Sequence, residues 1–184
     1  DIGVTGVQTC ALPIYSDVSQ AYNADALTLL SPHIIGVPSQ MVSQREAQDQ
    51  VEAYLYLVNS DGKMPVFMSI RKEQLQGWCE WSTQGNFKNL VNVNRQVYSI
   101  VERTINSSTV TTLELLDNTY HTDSASKQTG SATKNWTVAH LPNTEVVVKS
   151  GNYSMGTYTT NGSGQLTLTD AVTSVEIGLN FTPE

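Results

Sequence analysis

From residue 51 onward, apolar side chains recur at every second position, in short runs that turn residues separate. In MPVFMSI at 64–70, Met64, Val66, Met68 and Ile70 fall on one side of an extended chain. A repeat of two is that of a β-strand, because successive side chains point to opposite faces of a sheet. The pattern therefore predicts that most of the chain folds into sheets.

The turns between these runs predict how the strands pair. Asp61-Gly62 follows the run VEAYLYLV at 51–58, and glycine adopts the positive φ of a tight turn without steric cost. Strands that short turns connect pair in the antiparallel sense. Residues 15–116 are predicted to hold an antiparallel meander, with strands at 51–58, 64–70, 75–81, 87–93, 96–104 and 110–116. The polar stretch 39–50 fits either a loop or a short edge strand.

One helix is predicted ahead of the meander, at residues 23–35. Asn23 can cap its first turn, since its side chain can accept a hydrogen bond from a free backbone N–H group. Leu27, Leu30 and Ile34 then fall on one face. Pro32 disfavours helical geometry at the residue before it, so a break or a tightened turn is expected there.

A second β unit, residues 136–184, is predicted after a polar connection at 117–135. The connection is almost entirely polar, which is typical of an exposed linker. In the second unit, strands are expected at 137–141, 144–149, 154–160, 165–169 and 172–181. A unit of this size has a marginal core. We therefore expect a small β-barrel or β-sandwich that leans on the first unit or on a neighbouring subunit.

The composition argues against a surface that grips nucleic acid. The chain has 10 lysine and arginine residues against 17 aspartate and glutamate residues, a formal net charge of −7. An acidic protein is a poor match for DNA phosphates, and the sequence contains no basic run. Only 15% of residues are charged. Ser, Thr, Asn and Gln supply the remaining polarity, as is common in β-rich virion and extracellular proteins. No stretch approaches the ~20 apolar residues that a membrane span needs.

The sequence predicts no catalytic, cofactor-binding or metal-ligating set. His33, His121 and His140 lack a second histidine or cysteine at ligand spacing, so we interpret them as structural or exposed. Cys79 lies in an apolar segment and is interpreted as a small packed core residue. No nucleophile elbow, zinc-protease motif or phosphate-binding glycine loop occurs in the sequence.

Acidic side chains are scattered over several predicted elements: Glu73, Glu80, Glu102, Glu114 and Asp123. Two of them could meet in space as a glycosidase pair, which needs two carboxyl groups that flank one bond. Glu102 and Arg103 are neighbours on one predicted strand and point to opposite faces. Each is therefore expected to need its own partner.

The aromatic residues leave two interpretations open. Tyr54 and Tyr56 share one face of their predicted strand, whereas Trp78 and Trp81 fall on opposite faces of theirs. If buried, these rings are sheet core or subunit interface, which we favour for the tryptophans. If exposed, they could stack against sugar rings or fill a pocket of a partner.

The N-terminal residues 4–14, VTGVQTCALPI, look like a translated short-read sequencing adapter. We interpret residues 1–14 as an assembly scar on an environmental gene fragment and exclude them from fold reasoning. A disordered tail is expected there, and the natural protein is expected to be longer.

Three segments together resemble structural proteins of tailed phages, and the nearest named family is the tail tubular protein B, or nozzle, family of short-tailed phages. The segments are LTLLSPHII at 27–35, VEAYLYLVNSDGKMPVFMSIRKEQLQGWCEW at 51–81 and VYSIVERTINSSTVTTLELLD at 97–117. Asp61-Gly62, Gly77-Trp78 and Val101-Glu102-Arg103 stand in the order and spacing of that family. Residues 140–181 are similar to the small, FCCH-like β module that often closes these proteins.

The resemblance implies a non-catalytic component of the phage tail. Nozzle proteins form rings, commonly hexamers, below the adaptor and portal, and DNA leaves through the channel. Their sheets are propeller-like, and one four-stranded blade fits the predicted meander. The implied partners are other copies of the chain, tail and adaptor proteins, and DNA that passes without specific binding; no cofactor is implied. We hypothesise that the acidic charge keeps DNA from adhering to the channel wall.

Two other functions remain open. A carbohydrate- or receptor-binding module of a tail tip would place Tyr54, Tyr56 or Trp81 on an exposed platform. A hydrolase that acts on cell walls would need two carboxylates that face each other across a cleft.

Overall fold

The computed structural model describes residues 11–16, 21–26, 31–45 and 51–181, and these residues are mainly β. A single turn of 3₁₀ helix lies at Arg71–Glu73, and the described residues contain no α-helix. The strands are β1 (Ala11–Ser16), β2 (Ala21–Ala26), β3 (Pro38–Gln44), β4 (Ala53–Asn59), β5 (Met64–Ile70), β6 (Leu75–Trp81), β7 (Asn86–Val93), β8 (Gln96–Ile105), β9 (Ser108–Leu115), β10 (Asp123–Thr137), β11 (Glu145–Ser150), β12 (Tyr153–Thr159) and β13 (Gln165–Leu179). The six strands predicted between residues 51 and 116 are thereby confirmed as β4 to β9.

Two antiparallel sheets pack face to face in the first part of the chain. One is the four-stranded meander β3-β4-β5-β6, and the other is the three-stranded meander β7-β8-β9. Their facing sides share one apolar core, which consists of Tyr56, Val58, Met64, Val66, Phe87, Leu90, Val97 and Val101. In β5 the alternation marks this buried face, which Met64 and Val66 occupy, whereas in β4 the core residues Tyr56 and Val58 alternate with Leu57, which is buried as well.

Side chains join the two sheets where β3 lies beside β7. The side-chain amide of Gln40 accepts a hydrogen bond from the backbone N–H of Leu90 at 2.7 Å and donates one to the carbonyl of the same residue at 2.6 Å. Asn92 donates to the carbonyl of Ser43 at 2.8 Å. The stretch 39–50, for which a loop or an edge strand was open, thus contains the edge strand β3. On the opposite side, β6 and β9 border a cleft.

The second part of the chain forms a four-stranded sheet in the order β10-β13-β11-β12. Register shifts interrupt the pairing of the two long strands around Thr133, and such irregularities bend strands. One apolar core lies against this sheet, and its members from this part of the chain are Trp136, Val138, Leu141, Val146, Val148, Leu166, Leu168, Val175, Ile177 and Leu179. The sheet ends at β10 on one side and at β12 on the other. Of the two forms predicted for this unit, a β-barrel or a β-sandwich, the closed barrel is therefore wrong, and the strands of the unit form one open sheet.

The helix predicted at 23–35 is also wrong. Residues 21–26 form β2, which pairs with β1. Residues 32–34 form a turn in which the N–H of Ile34 donates to the carbonyl of Ser31 at 3.3 Å, and residues 27–30 lie outside the described residues. A short helix is marginal without tertiary support, and Pro32 removes one of its hydrogen bonds.

The polar connection predicted at 117–135 is much shorter in the structure. β10 occupies Asp123–Thr137, so residues 116–122 connect β9 to β10. The polarity of this segment fits an edge strand, because one of its faces and one of its edges meet water. Exposure was thus inferred correctly, whereas the absence of regular structure was not.

Two other differences concern the second sheet. Only Thr137 of the strand predicted at 137–141 is extended, and a turn follows in which the N–H of Leu141 donates to the carbonyl of Val138 at 3.0 Å. The strands predicted at 165–169 and 172–181 join into the single strand β13.

Residues 11–14, which we expected in a disordered tail, belong to β1, while residues 1–10 lie outside the described residues. No helix in the part of the chain that the structure describes has the length and apolar character required to cross a membrane.

Candidate functional site

A cleft of about 1190 Å³ lies where the sandwich meets the second sheet. One wall is the end of β6 with the loop that follows it, and another is β9. Residues 120–125 and the chain after β13 close it from the second part of the molecule. The lining mixes aromatic, hydroxyl and carboxylate side chains.

Arg103 is buried beside this cleft, and each of its N–H groups is bonded. A guanidinium has five N–H donors. Nε and Nη2 donate to the two carboxylate oxygens of Glu114 at 2.7 and 2.6 Å. Nη1 and Nη2 donate to the two oxygens of Asp123 at 2.9 and 2.8 Å, and Nη1 also donates to the carbonyl of Gln84 at 3.0 Å. Five donors thus meet five acceptors, which leaves no N–H of Arg103 for a ligand.

Asp123 is held by more than the arginine. One of its oxygens accepts hydrogen bonds from the hydroxyl of Thr83 at 2.7 Å and from the backbone N–H of Gln84 at 3.0 Å. The other accepts from the backbone N–H of Ser124 at 2.9 Å. Burial alone would raise the pKa of Asp123, but the hydrogen bonds and positive charge of Arg103, together with Thr83 and Gln84, hold that pKa below its ordinary value.

The positive charge of Arg103 is fixed by the same contacts. Burial disfavours its charged form, but the hydrogen bonds and charges of Glu114 and Asp123 outweigh burial, so the pKa of Arg103 is raised. Glu114 is itself oriented by the hydroxyl of Thr112, which donates to it at 2.7 Å. Arg103 and Asp123 therefore stay ionised around neutral pH.

This cluster joins two sheets. Arg103 lies in β8 of the sandwich, and Asp123 opens β10 of the second sheet. Ile105, the last residue of β8, packs into the apolar core of the second sheet. Gln84 also reaches across, since its side chain donates to the carbonyl of Asn180 at 2.5 Å. These contacts therefore hold the two sheets together, partly through ion pairs and partly through apolar packing. They are called the Arg103 joint.

A second buried carboxylate orders the chain that leads to this joint. Glu176 is 6% exposed and accepts hydrogen bonds from the backbone N–H of His121 at 2.5 Å and from the hydroxyl of Thr122 at 3.2 Å. The ammonium of Lys127 lies 3.8 Å from it. Gly178, on the same side of β13, lets the backbone of Asp123 approach closely.

The prediction that Glu102 and Arg103 need separate partners is confirmed. Glu102 lies 3.3 Å from the ammonium of Lys88 on the outward face, whereas Arg103 points inward. Of the acidic residues noted in the sequence, the structure brings Glu114 and Asp123 together, and Glu80 pairs with Lys63 at 2.6 Å. The meeting of Glu114 with Asp123 was missed.

The two carboxylates differ from a glycosidase pair. Glu114 and Asp123 line the cleft, but both bind one guanidinium instead of flanking a space for substrate. A glycosidase acid needs a raised pKa, whereas the pKa of Asp123 is lowered. The cluster therefore lacks the arrangement that the hydrolase hypothesis requires.

The aromatic side chains divide between core and cleft. Tyr56 is 5% exposed, and its hydroxyl donates to Gln44 at 2.9 Å. Its ring lies 5.8 Å from that of Tyr54 and 6.0 Å from that of Trp81. Trp81 is 39% exposed and lines the cleft, whereas Trp78 packs against a buried phenylalanine on the other face of β6. Tyr54, Tyr56 and Trp81 thus do not form an open platform.

The remaining side chains considered as candidate catalytic or metal-binding groups are the histidines and Cys79. Cys79 is exposed, so the interpretation as a packed core residue is wrong; it lies on the edge strand β6. His140 lies on the cleft with Nε2 2.9 Å from the carbonyl of Ser124. Within the described ranges, no group of three or more His, Cys, Asp and Glu residues could hold a metal ion.

No known family model matches the chain, and no curated protein shows significant similarity to it.

Proposed function

We propose that this chain is a non-catalytic structural component of a phage tail, of the nozzle type that its sequence resembles. The observation that carries the proposal is the Arg103 joint. Its guanidinium and both carboxylates are occupied by each other and by neighbouring groups, and they connect two sheets.

The joint favours a mechanical over a chemical role. A general acid or base must exchange a proton with a substrate, so its reacting atom has to be accessible and its pKa has to lie near the working pH. Asp123 has the opposite properties, because its pKa is lowered and its oxygens already accept bonds from Arg103, Thr83 and two backbone N–H groups. Such a cluster serves to fix the orientation of the two sheets.

The shape of the first sheet is compatible with the proposal. A propeller blade is a four-stranded antiparallel sheet, and β3-β4-β5-β6 is a four-stranded meander in chain order. In a ring of copies, such a blade and the second sheet would contribute to the wall of a conduit. The formal charge of −7 would let DNA pass along that wall without adhering.

The test is to look for the chain in virions. If the proposal is right, the intact gene lies beside portal and adaptor genes, and mass spectrometry of purified virions detects its peptides at several copies per particle. A lysate that contains the protein, together with purified virions that lack it, would contradict the proposal.

A second candidate function is carbohydrate binding in the cleft. Trp81 and Phe181 line it and are 39% and 51% exposed, and hydroxyl and amide side chains belong to the same lining. Partly exposed rings with neighbouring hydrogen-bonding groups suit a neutral sugar, which stacks through its apolar face. This would be the binding module of a tail tip.

Glycan-array binding with two tryptophan variants tests the second candidate. Trp81→Ala should abolish binding, because it removes the ring at the cleft. Trp78→Ala is the matched control, since Trp78 lies in the same strand but points to the other face. An array that gives no signal with the unaltered chain, or equal signals for the two variants, would count against this function.

A further inference from the structure

The outward side of the three-stranded sheet is an exposed apolar surface. Strand register places Ile100 opposite Leu113, with Val91, Val93 and Leu115 on the same side of the sheet. The exposed fractions are 47% for Val91, 49% for Val93, 39% for Ile100, 70% for Leu113 and 41% for Leu115. These five residues are called the outer patch.

The outer patch departs from the alternation of buried apolar and exposed polar residues that is expected of such a sheet. The inward residues of β7 and β8, such as Leu90 and Val101, are buried against the four-stranded sheet. A sheet with one solvated face alternates apolar and polar residues, so its outward positions should be polar. Single exposed apolar residues are ordinary, but a contiguous group on one sheet face indicates a binding surface.

We infer that the outer patch binds the outer patch of a second copy of this chain, sheet against sheet. Charge is the argument for this occupant. Each copy has a formal charge of −7, so two copies repel one another over most approaches. The outward face of the three strands carries two charged residues, Glu102 and Lys88, and the Glu102 carboxylate lies 3.3 Å from the Lys88 ammonium, so their opposite charges cancel. The outer patch is therefore a neutral surface at which two acidic copies can meet without like-charge repulsion.

Symmetry points to the same occupant. In a two-fold contact the same surface appears on both sides, so it has to be complementary only to itself. A neutral apolar sheet face meets this condition, and such faces pack about 10 Å apart with roughly aligned strands. A strongly charged partner would find no opposite charge here. The inference goes beyond the proposed function, because a two-fold contact joins two copies and is separate from the head-to-tail contacts that close a ring.

Sedimentation of the full chain over a wide concentration range tests the inference. The unaltered chain should sediment as a dimer or larger assembly. Leu113→Asp should weaken self-association by about tenfold or more, because it places like charges at the centre of a desolvated contact. Leu75→Asp is the matched control; this leucine is 52% exposed on β6, away from the outer patch, and its replacement should leave association intact.

A charge-swap mixture makes the test specific. Leu113→Asp and Leu113→Lys should each be monomeric alone and should associate when mixed, since the opposite charges then face each other across the contact. Val91→Asp, on another strand of the outer patch, should reproduce the loss. A monomeric unaltered chain, or association that Leu113→Asp does not weaken, would overturn the inference. A chain found in virions yet monomeric in solution would overturn only the inference, whereas a dimeric chain absent from virions would overturn only the phage-tail role.

Discussion

Arg103 and Asp123 form a bidentate ion pair that links the sandwich to the second sheet, with N–O distances of 2.9 and 2.8 Å. The side chain of Arg103 is 1% exposed and that of Asp123 is 16% exposed, so water screens the pair little. A buried pair adds stability only when its remaining hydrogen-bonding groups are satisfied, and here the arginine has a partner for every N–H. The orientation of the two sheets therefore depends on a small number of side chains.

Arg103→Met should destabilise the fold by about 3–5 kcal/mol, because it leaves two carboxylates that are only 20% and 16% exposed without their cation. Urea unfolding measures the loss. Lys63→Met is the control; Lys63 pairs with Glu80 at 2.6 Å, but the lysine side chain is 49% exposed, so its loss should cost no more than about 1 kcal/mol. Equal losses for the two variants would show that the Arg103 cluster adds nothing beyond a surface pair.

Stability should fall as the solution becomes acidic. The pKa of Asp123 is lower in the folded chain than in the unfolded chain, so the unfolded chain binds more protons in the interval between the two values. The contribution of Asp123 is complete above its unfolded pKa of about 3.9 and is lost as the pH falls through its folded pKa. Unfolding free energies measured from pH 6 downward, in steps of about one unit, follow this loss.

Asp123→Asn is the control for this pH dependence. The amide cannot titrate, so the variant should be less stable at neutral pH, and its free energy of unfolding should vary less below about pH 4. Parallel curves for the two proteins would mean that the acid sensitivity comes from other carboxylates.

The strands of the sandwich could be predicted from the sequence because they need only local information. Alternation in β5 and the Asp61-Gly62 turn specify a hairpin, since side-chain direction and turn geometry act over a few residues. Glu114 could have been placed on the same face as Arg103 by the same logic. The hairpin turn pairs Ile105 with Ser108, and counting back from it puts both residues inward.

The remaining features of the fold and of the candidate site depend on contacts between segments that are distant in the chain. Nothing local to Asp123 indicates that it meets Arg103, because this pairing depends on how the second sheet docks. The sequence of β10 is polar and shows no apolar alternation. Its place in the sheet follows from its pairing with β13, whose apolar side chains contribute to the core. The helix prediction failed because it also used local signals alone. A capping residue and an apolar stripe favour a helix only when no other segment pairs with that backbone.

Gly178→Ala should destabilise the second sheet by about 1–3 kcal/mol, because an added methyl group would overlap neighbouring atoms. A Cβ at this position would lie 2.5 Å from the backbone carbonyl of Asp123 and 2.5 Å from the hydroxyl of Thr122. Gly130→Ala, in the neighbouring strand β10, is the matched control, since a Cβ there meets no atom within 4 Å. Thermal or urea unfolding compares the variants, and equal stabilities would argue against the close approach of β10 to β13.

Tyr56 should be among the last tyrosines to ionise as the pH rises. Burial, with a smaller effect from Tyr54, raises the pKa of Tyr56 to about 12. In the unfolded chain a tyrosine ionises near pH 10, so the folded state holds the proton more tightly between these values and its stability falls as the pH rises through them. Absorbance at alkaline pH should show a late phenol titration that Tyr56→Phe removes. At neutral pH the same variant loses the hydrogen bond to Gln44 and should be less stable by about 0.5–1.5 kcal/mol. Tyr153→Phe, at a position that is 78% exposed, should change stability by no more than about 0.5 kcal/mol. A late titration that persists in Tyr56→Phe would mean that another phenol is the buried one.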